Sequence, residues 1–262
     1  MIKHIFCDLD GTLFNNGISK EDIKAIEEIE KEGIKFHVAT GRVFKQAYKM
    51  VNNEFQLNGY YICENGSFIY DKDKNLIFKD TMDDYLVKKI ISKFYYDNAY
   101  LYLKYNGDMV IDKHEKLDIA EYYSIKYKVD EEILKKESYD NLVGNVGVLC
   151  DDKDLLKRIE YYYKSEFSDV CDVYVSSPCT INIVPNHISK RHGIERICKL
   201  YKINSDEIAT MGDSPNDICM LQDFKYGFAM EDSLEEVKGS ASYIMKSVSE
   251  GIDMIKKINR AL

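Results

Sequence analysis

Apolar and polar positions along the first third of the chain alternate with two periods. Residues 2–7 (IKHIFC) are a short β-branched and aromatic run, the pattern of a buried strand. Residues 19–31 (SKEDIKAIEEIEK) follow, with Ser19 placed as an N-cap and Ile23, Ile26 and Ile29 beside Ala25 on one stripe, which predicts an amphipathic helix. Gly33 closes it as a C′ glycine does. Residues 34–39 (IKFHVA) predict a second strand, residues 42–50 a second helix and residues 60–63 a third strand. Strands alternating with helices in this way imply a parallel sheet with right-handed crossovers.

The middle of the chain has a different rhythm. A helical pattern covers residues 83–96. Two strand patterns, 100–105 and 108–112, flank Asn106-Gly107, a two-residue hairpin turn. Helical periodicity returns at 115–123, then a strand at 143–150, a helix at 153–165 and strands at 170–175 and 180–184. Hairpins mixed with helices predict an α+β module with a largely antiparallel sheet. From residue 189 the alternation resumes. Helices are expected at 189–201, 216–221, 233–239 and 250–259, and strands at 207–211, 226–230 and 243–245. The simplest account is one doubly wound α/β core, residues 1–80 and 185–262, interrupted by an inserted α+β module at 81–184.

Composition narrows the partners. The chain has 262 residues, 45% hydrophobic and 31% charged, the mix of a globular protein rather than a disordered one. Its net charge of −9 argues against a nucleic-acid-binding body, which needs a basic face to displace counterions, but leaves room for a small anionic ligand held by a local cation. No apolar run reaches the roughly 18–20 residues that span a bilayer, and the first ten residues lack the apolar core of a signal peptide. A cytoplasmic protein beginning at or near Met1 is expected. Seven scattered cysteines without a CxxC pair read as reduced thiols, and five histidines without HExxH give no zinc signature.

Candidate chemistry gathers where strands end. The first strand runs into Asp8-Leu9-Asp10-Gly11-Thr12-Leu13. Ligands of open α/β sheets bind outside the carboxyl ends of the strands. On a regular strand Asp8 and Asp10 would share a face, and two close carboxylates repel unless a cation lies between them; Mg²⁺, a hard ion, suits oxygen ligands. The second strand ends in Thr40-Gly41-Arg42, a hydroxyl with two backbone N–H groups at an expected helix start, suited to phosphate. Another strand runs into Met211-Gly212-Asp213-Ser214-Pro215-Asn216-Asp217, a second acidic cluster. Lys190 opens a helix, where a cation is disfavoured by the helix dipole, and this local conflict calls for a negative partner.

DLDGTL, ATGR, ISK and GDSPND, in this order and with a large insert between the second and third, resemble the four motifs of the haloacid dehalogenase-like (HAD) phosphohydrolases. The insert is similar to the cap of the Cof-type, or type IIB, subgroup, as are Asn65-Gly66 and the tail from Gly227 to Gly251. Glu231-Asp232-Ser233 departs from the small residue, amide and alanine of relatives, and Arg191-His192 after Lys190 departs too. The resemblance implies a Rossmann-like HAD core with an inserted cap, Mg²⁺ as cofactor, and hydrolysis of a small phosphorylated metabolite, such as a sugar phosphate or cofactor phosphate, through an aspartyl-phosphate. It implies Asp8 as nucleophile and Asp10 as general acid and base. The metal falls to Asp8, the Asp10 carbonyl and Asp213. Thr40, Gly41, Lys190 and Asn216 would bind phosphate, Arg42 the substrate, and Asp217 would orient Lys190 or a metal-bound water.

The cap is expected to set specificity, with hinges at Thr81-Met82 and Val184-Pro185-Asn186. Its many tyrosines, Tyr122 and Tyr123 among them, name no ligand contact. A phosphomutase of the same superfamily would use the same Asp8 and Asp10, and a non-catalytic metabolite-phosphate sensor could keep the fold without the chemistry. A nucleotide-cofactor oxidoreductase lacks support, since no GxGxxG follows the first strand.

Overall fold

The computed structural model of the chain describes residues 1–112 and 126–261. The helical pattern at 115–123, with Tyr122 and Tyr123, lies outside them. Two units divide the chain: Met1–Lys79 together with Ser189–Leu262, and Asp80–Ile188.

The first unit holds β1 (His4–Cys7), β2 (Lys35–Ala39), β3 (Tyr61–Cys63), β4 (Phe68–Tyr70) and β5 (Leu76–Lys79), and later in the chain β12 (Ile208–Gly212), β13 (Tyr226–Met230) and β14 (Tyr243–Met245). They form one sheet in the order β14-β13-β12-β1-β2-β3-β4-β5. Pairing is parallel from β14 to β3 and antiparallel across β3–β4 and β4–β5. The strand order reverses at β1, which lies between β2 and β12, so the crevice of a doubly wound sheet opens at the carboxyl end of β1.

Alternate residues of the strands feed two apolar layers. Ile5, Cys7, Phe36, Val38, Met211 and Phe228 face helices α1 (Lys20–Lys31), α2 (Phe44–Asn52) and the closing helix Val248–Ala261 through Ile26, Ile29, Ala47, Val51, Ile252 and Ile255. Phe6, Ala39, Ile62 and Ile208 face the helices Lys190–Tyr201 and Ile218–Asp223 through Ile194, Ile197 and Met220. Ser19 caps α1 by accepting the Asp22 N–H, and the Asp22 carboxylate in turn accepts the Ser19 hydroxyl and the Ser249 N–H, tying α1 to the closing helix.

Two local expectations need correction. The second helix begins at Phe44, because Val43 is extended (φ −69°, ψ 150°) and stands as its N-cap. Thr40, Gly41 and Arg42 are therefore loop residues and not a helix start. The antiparallel pair β4–β5 also extends the sheet where the sequence showed no strand.

The second unit contains α3 (Asp84–Ser92), β6 (Tyr100–Tyr105), β7 (Asp108–Ile111), β8 (Lys128–Val129), β9 (Val143–Leu149), α4 (Lys153–Phe167), β10 (Cys171–Ser177) and β11 (Thr180–Pro185). Its sheet runs β10-β11-β9-β6-β7-β8, antiparallel except for β7–β8. Asn106 (φ 50°) and Gly107 (φ 76°) are both left-handed, as the two-residue hairpin requires. Leu101, Leu103, Val146, Val148, Ile181 and Ile183 pack with Val87 and Ile90 of α3 and with Leu156, Ile159 and Tyr163 of α4. The alternate positions Tyr102, Lys104, Asn145 and Asn182 are buried polar residues. Tyr102, Gly147 and Asn182 lie in register across β6, β9 and β11, and a side chain at Gly147 would collide with the Tyr102 ring. Among the described residues no helix is long and apolar enough to cross a membrane.

Candidate active site

β1 ends at Cys7, and the Asp8 N–H continues the ladder onto the Met211 carbonyl of β12 at 2.8 Å. The chain then turns: the Leu13 N–H reaches the Asp8 carbonyl at 3.3 Å and the Phe14 N–H reaches the Leu9 carbonyl at 2.6 Å. Asp8 therefore caps the central strand, and Asp10 stands in the turn rather than on a regular strand. Gly11 is left-handed (φ 87°), and a Cβ there would strike the Asp213 carboxylate. Glycine is needed at this position both for conformation and for space.

Lys190, 1% exposed, is the first residue of its helix, with Ser189 as N-cap accepting the His192 N–H. Its ammonium lies 2.5 Å from Asp8 Oδ1 and 2.6 Å from Asp217 Oδ1. These acids answer the dipole conflict that its position creates. Burial works against the charged amine, but Asp217 and Asp8 outweigh it and raise its pKa, so Lys190 stays protonated. Asp217 is fully buried, and its Oδ2 accepts the N–H groups of Asp213 and Ser214 and the Ser214 hydroxyl. Both of its oxygens are thus engaged in positioning.

Asp213 follows β12, and its Oδ1 accepts the Thr12 hydroxyl at 2.6 Å. Carboxylate oxygens of Asp8, Asp213 and Asp217 all lie within 4.8 Å of one another. Burial, then the facing Asp217 and Asp213, push the Asp8 carboxyl well above its usual range against the pull of Lys190; burial and Asp217 also raise Asp213. Three acids against one ammonium leave an excess of two negative charges when all are ionised. A divalent cation that prefers hard oxygen donors fits this set. Asp8 and Asp213 are the side chains placed to hold it, since Asp217 is committed to Lys190 and to backbone.

The remaining candidates fall around this cluster. Thr40 is fully buried, and its Oγ1 accepts the Arg42 N–H at 3.1 Å. Glu64, Asn65 and Gly66 are three successive left-handed residues (φ 52°, 57° and 114°). The Glu64 N–H binds the Arg42 carbonyl and the Asn65 N–H binds the Thr40 carbonyl, both at 3.0 Å, which fixes the Thr40–Gly41–Arg42 loop. Asn216 donates to Asn65 Oδ1 at 3.2 Å, joining that loop to the one after β12. Gly66 lies so close to the Ser189 carbonyl that any side chain would clash, and this brings the Lys190 helix up to the turn. Arg42 grips the Asp10 carboxylate with Nε and Nη2, each at 2.7 Å. The Asp10 carboxylate is not part of the three-acid group.

Thr12 and Asn65 are site-shaping residues that the sequence reading left unassigned. Thr12 follows the acidic motif directly, and Asn65 precedes a glycine, but their partners lie 201 and 151 residues away.

The sequence profile of the haloacid dehalogenase-like hydrolases matches residues 5–254 of the chain. The chain belongs to that family. Similar proteins include the 5-amino-6-(5-phospho-D-ribitylamino)uracil phosphatase YwtE of Bacillus subtilis, 26% identical over 95% of this chain and 94% of its own. Among solved structures, TM0651 of Thermotoga maritima superposes with a TM-score of 0.84 at 22% identity, covering 97% of each chain. The HAD subclass IIB sugar phosphatase BT4131 gives a TM-score of 0.79 at 22% identity, covering 99% of this chain and 100% of its own. The α/β core with its α+β insertion is thus the HAD fold of the Cof-type, IIB subgroup.

Proposed function

We propose that this chain is a Mg²⁺-dependent phosphatase that hydrolyses a small phosphorylated metabolite, a sugar phosphate or cofactor phosphate, through an aspartyl-phosphate on Asp8. The observation that carries the reading is the Asp8 carboxylate at the end of the central strand, pinned by a buried Lys190 and facing Asp213. In this reading Met1–Lys79 with Ser189–Leu262 is the catalytic core, and Asp80–Ile188 is the cap, the part of the chain that distinguishes leaving groups.

Asp8 attacks phosphorus, the bond to the leaving alcohol breaks, and Asp10 supplies the proton that the alcohol needs. Water then attacks the phosphorus of phospho-Asp8, with Asp10 taking the proton and Asp8 leaving as carboxylate. Thr40, the Gly41 N–H, Lys190 and Asn216 bind phosphoryl oxygens and hold the group in line. Asp217 keeps Lys190 in place by accepting its second hydrogen bond. Mg²⁺ held by Asp8, Asp213 and the Asp10 carbonyl would neutralise charge on the transferring group.

A screen for inorganic phosphate release over sugar phosphates, polyol phosphates, flavin and pyridoxal phosphates, with and without Mg²⁺, tests the reading. The substrate printed in the name of YwtE is one compound for that panel. Release that depends on Asp8 supports a phosphatase. Transfer between sugar positions without net release points to a mutase, and the same rate from Asp8→Asn would refute the nucleophile.

A further inference from the structure

The Asp10–Arg42 pair is built differently from the rest of the site. Asp8 and Asp217 are buried, whereas the side chains of Asp10 and Arg42 are 45% and 39% exposed. A pair so open to water stabilises the fold by no more than about 1 kcal/mol. Its geometry is nevertheless that of the strongest fork: Arg42 Nε on Asp10 Oδ2 and Nη2 on Oδ1, both at 2.7 Å. Two parallel hydrogen bonds remove the rotational freedom that a carboxylate on a turn would keep. Arg42 is itself anchored through its backbone, with its N–H on Thr40 Oγ1 and its carbonyl receiving the Glu64 N–H.

We propose that Arg42 is the positioning residue for Asp10, setting the angle from which the Asp10 carboxyl gives a proton to the leaving oxygen and later takes one from water. This rests on the phosphatase reading. It differs from the expectation that Arg42 serves chiefly as a substrate contact, since two of the five guanidinium N–H groups, on Nε and Nη2, are committed to Asp10. In the first half-reaction the phosphorus–oxygen bond breaks, its electron pair stays on the departing oxygen, and the Asp10 proton moves there. In the second, water oxygen bonds to phosphorus, the bond to Asp8 breaks, and the water proton goes to Asp10. When one Asp10 oxygen carries the proton, the other keeps one arm of the fork, so orientation survives both halves. A guanidinium does not release its own proton, so Arg42 holds Asp10 without entering the transfer.

Steady-state kinetics of the full chain with Mg²⁺, over aryl phosphates whose leaving groups range from weakly to strongly acidic, tests the proposal. Arg42→Ala should lower kcat by about 10–100-fold with KM within about twofold. Its loss in kcat/KM should shrink as the leaving group becomes more acidic and needs the proton less. Arg42→Lys, which keeps the charge but not the fork, should fall between wild type and Arg42→Ala. In an Asp10→Asn background, Arg42→Ala should cost nothing further, the non-additivity of two residues acting through one. A raised KM at unchanged kcat, or losses that add fully with Asp10→Asn, would make Arg42 a substrate contact and overturn the proposal while leaving the phosphatase reading intact. Absence of phosphate release from wild type across this series and the metabolite panel would remove that reading and this inference with it.

Discussion

Lys190 and Lys104 are buried lysines, one in each unit, 1% and 9% exposed. Lys190 sits at the carboxyl end of a parallel sheet, between two carboxylates. Lys104 lies within β6 and directs its ammonium at the Asn182 amide oxygen, 3.5 Å away, an oxygen that also accepts from the Tyr102 hydroxyl at 3.0 Å and from Asn145 Nδ2 at 2.9 Å. The first cluster is rich in acids and stands where loops begin, so backbone N–H groups are available to hold it. The second, among the described contacts, centres on an amide oxygen and is set by strand register, so that its hydrogen bonds tie β6, β9 and β11 together. Buried polarity alone does not mark chemistry. What separates the two is an excess of charge placed at strand ends.

The contrast predicts different failures. Asp8→Asn should lower phosphate release by at least ~10³-fold. Lys190→Met should do likewise and also cost about 3–5 kcal/mol in urea unfolding, because it leaves buried acids unpaired; a fully stable, fully active Lys190→Met protein would erase the distinction. Removing Mg²⁺ with a chelator should abolish turnover reversibly, and adding Mg²⁺ at a hundred times its dissociation constant should raise stability by about 2.7 kcal/mol. Thermal melts with and without the ion measure this, and an unchanged melt with full activity after chelation would refute the metal role. Asn182→Leu takes the shared acceptor from the second cluster and should cost about 1–3 kcal/mol.

A neutral pair in the core sharpens the comparison further. The Tyr60 N–H binds His37 Nδ1 at 3.0 Å, which places the His37 proton on Nε2, facing His4 Nδ1 at 3.1 Å. Burial drives His37 well below its usual pKa, aided by His4 and Lys35, and burial with Lys35 lowers His4 against the pull of Glu207. Unfolded histidine titrates near ~6.5, so below that pH the unfolded chain takes up protons that the folded chain refuses. Stability should be greatest well above pH 6.5 and fall as the pH drops to 5, by up to ~2 kcal/mol from buried His37 and by clearly less from half-buried His4, whose charge water screens. Urea titrations at pH 7, 6 and 5 measure it, and a flat profile would refute it. The smallest expected effect is that of Thr12→Val, which frees Asp213 Oδ1 and should weaken Mg²⁺ activation about 10-fold.

The α/β–α+β–α/β order was readable because the long helices and strands carry clear periodicity. The β4–β5 pair was not, since strands of three and four residues around turn-forming Asn65, Gly66 and Lys74 leave too little pattern. The sequence pattern starts helix α2 at residue 42, two residues before Phe44, because nothing in the pattern shows that Arg42 donates its N–H to the Thr40 hydroxyl within a loop. The acids and Lys190 stood out through local conflict. Thr12 and Asn65 offered none, because a neutral hydroxyl or amide suits a turn whatever it later touches. The Arg42–Asp10 fork joins two motifs 32 residues apart, and only the folded loops show that they meet.

The place of β1 at the centre of its sheet has a consequence for synthesis. β1 pairs with β12, so its first residues wait for Ile208–Gly212 before that edge is covered. Asp80–Ile188 is continuous and emerges whole in the meantime. At roughly 5–20 residues per second, the nascent β1 edge stays open for tens of seconds. The inserted unit is free to fold during that interval, while the Asp8–Lys190–Asp217 cluster forms only after the ribosome has passed residue 217. A ribosome-stalled chain ending before β12 should therefore protect Asp80–Ile188 from protease and leave the first eighty residues exposed.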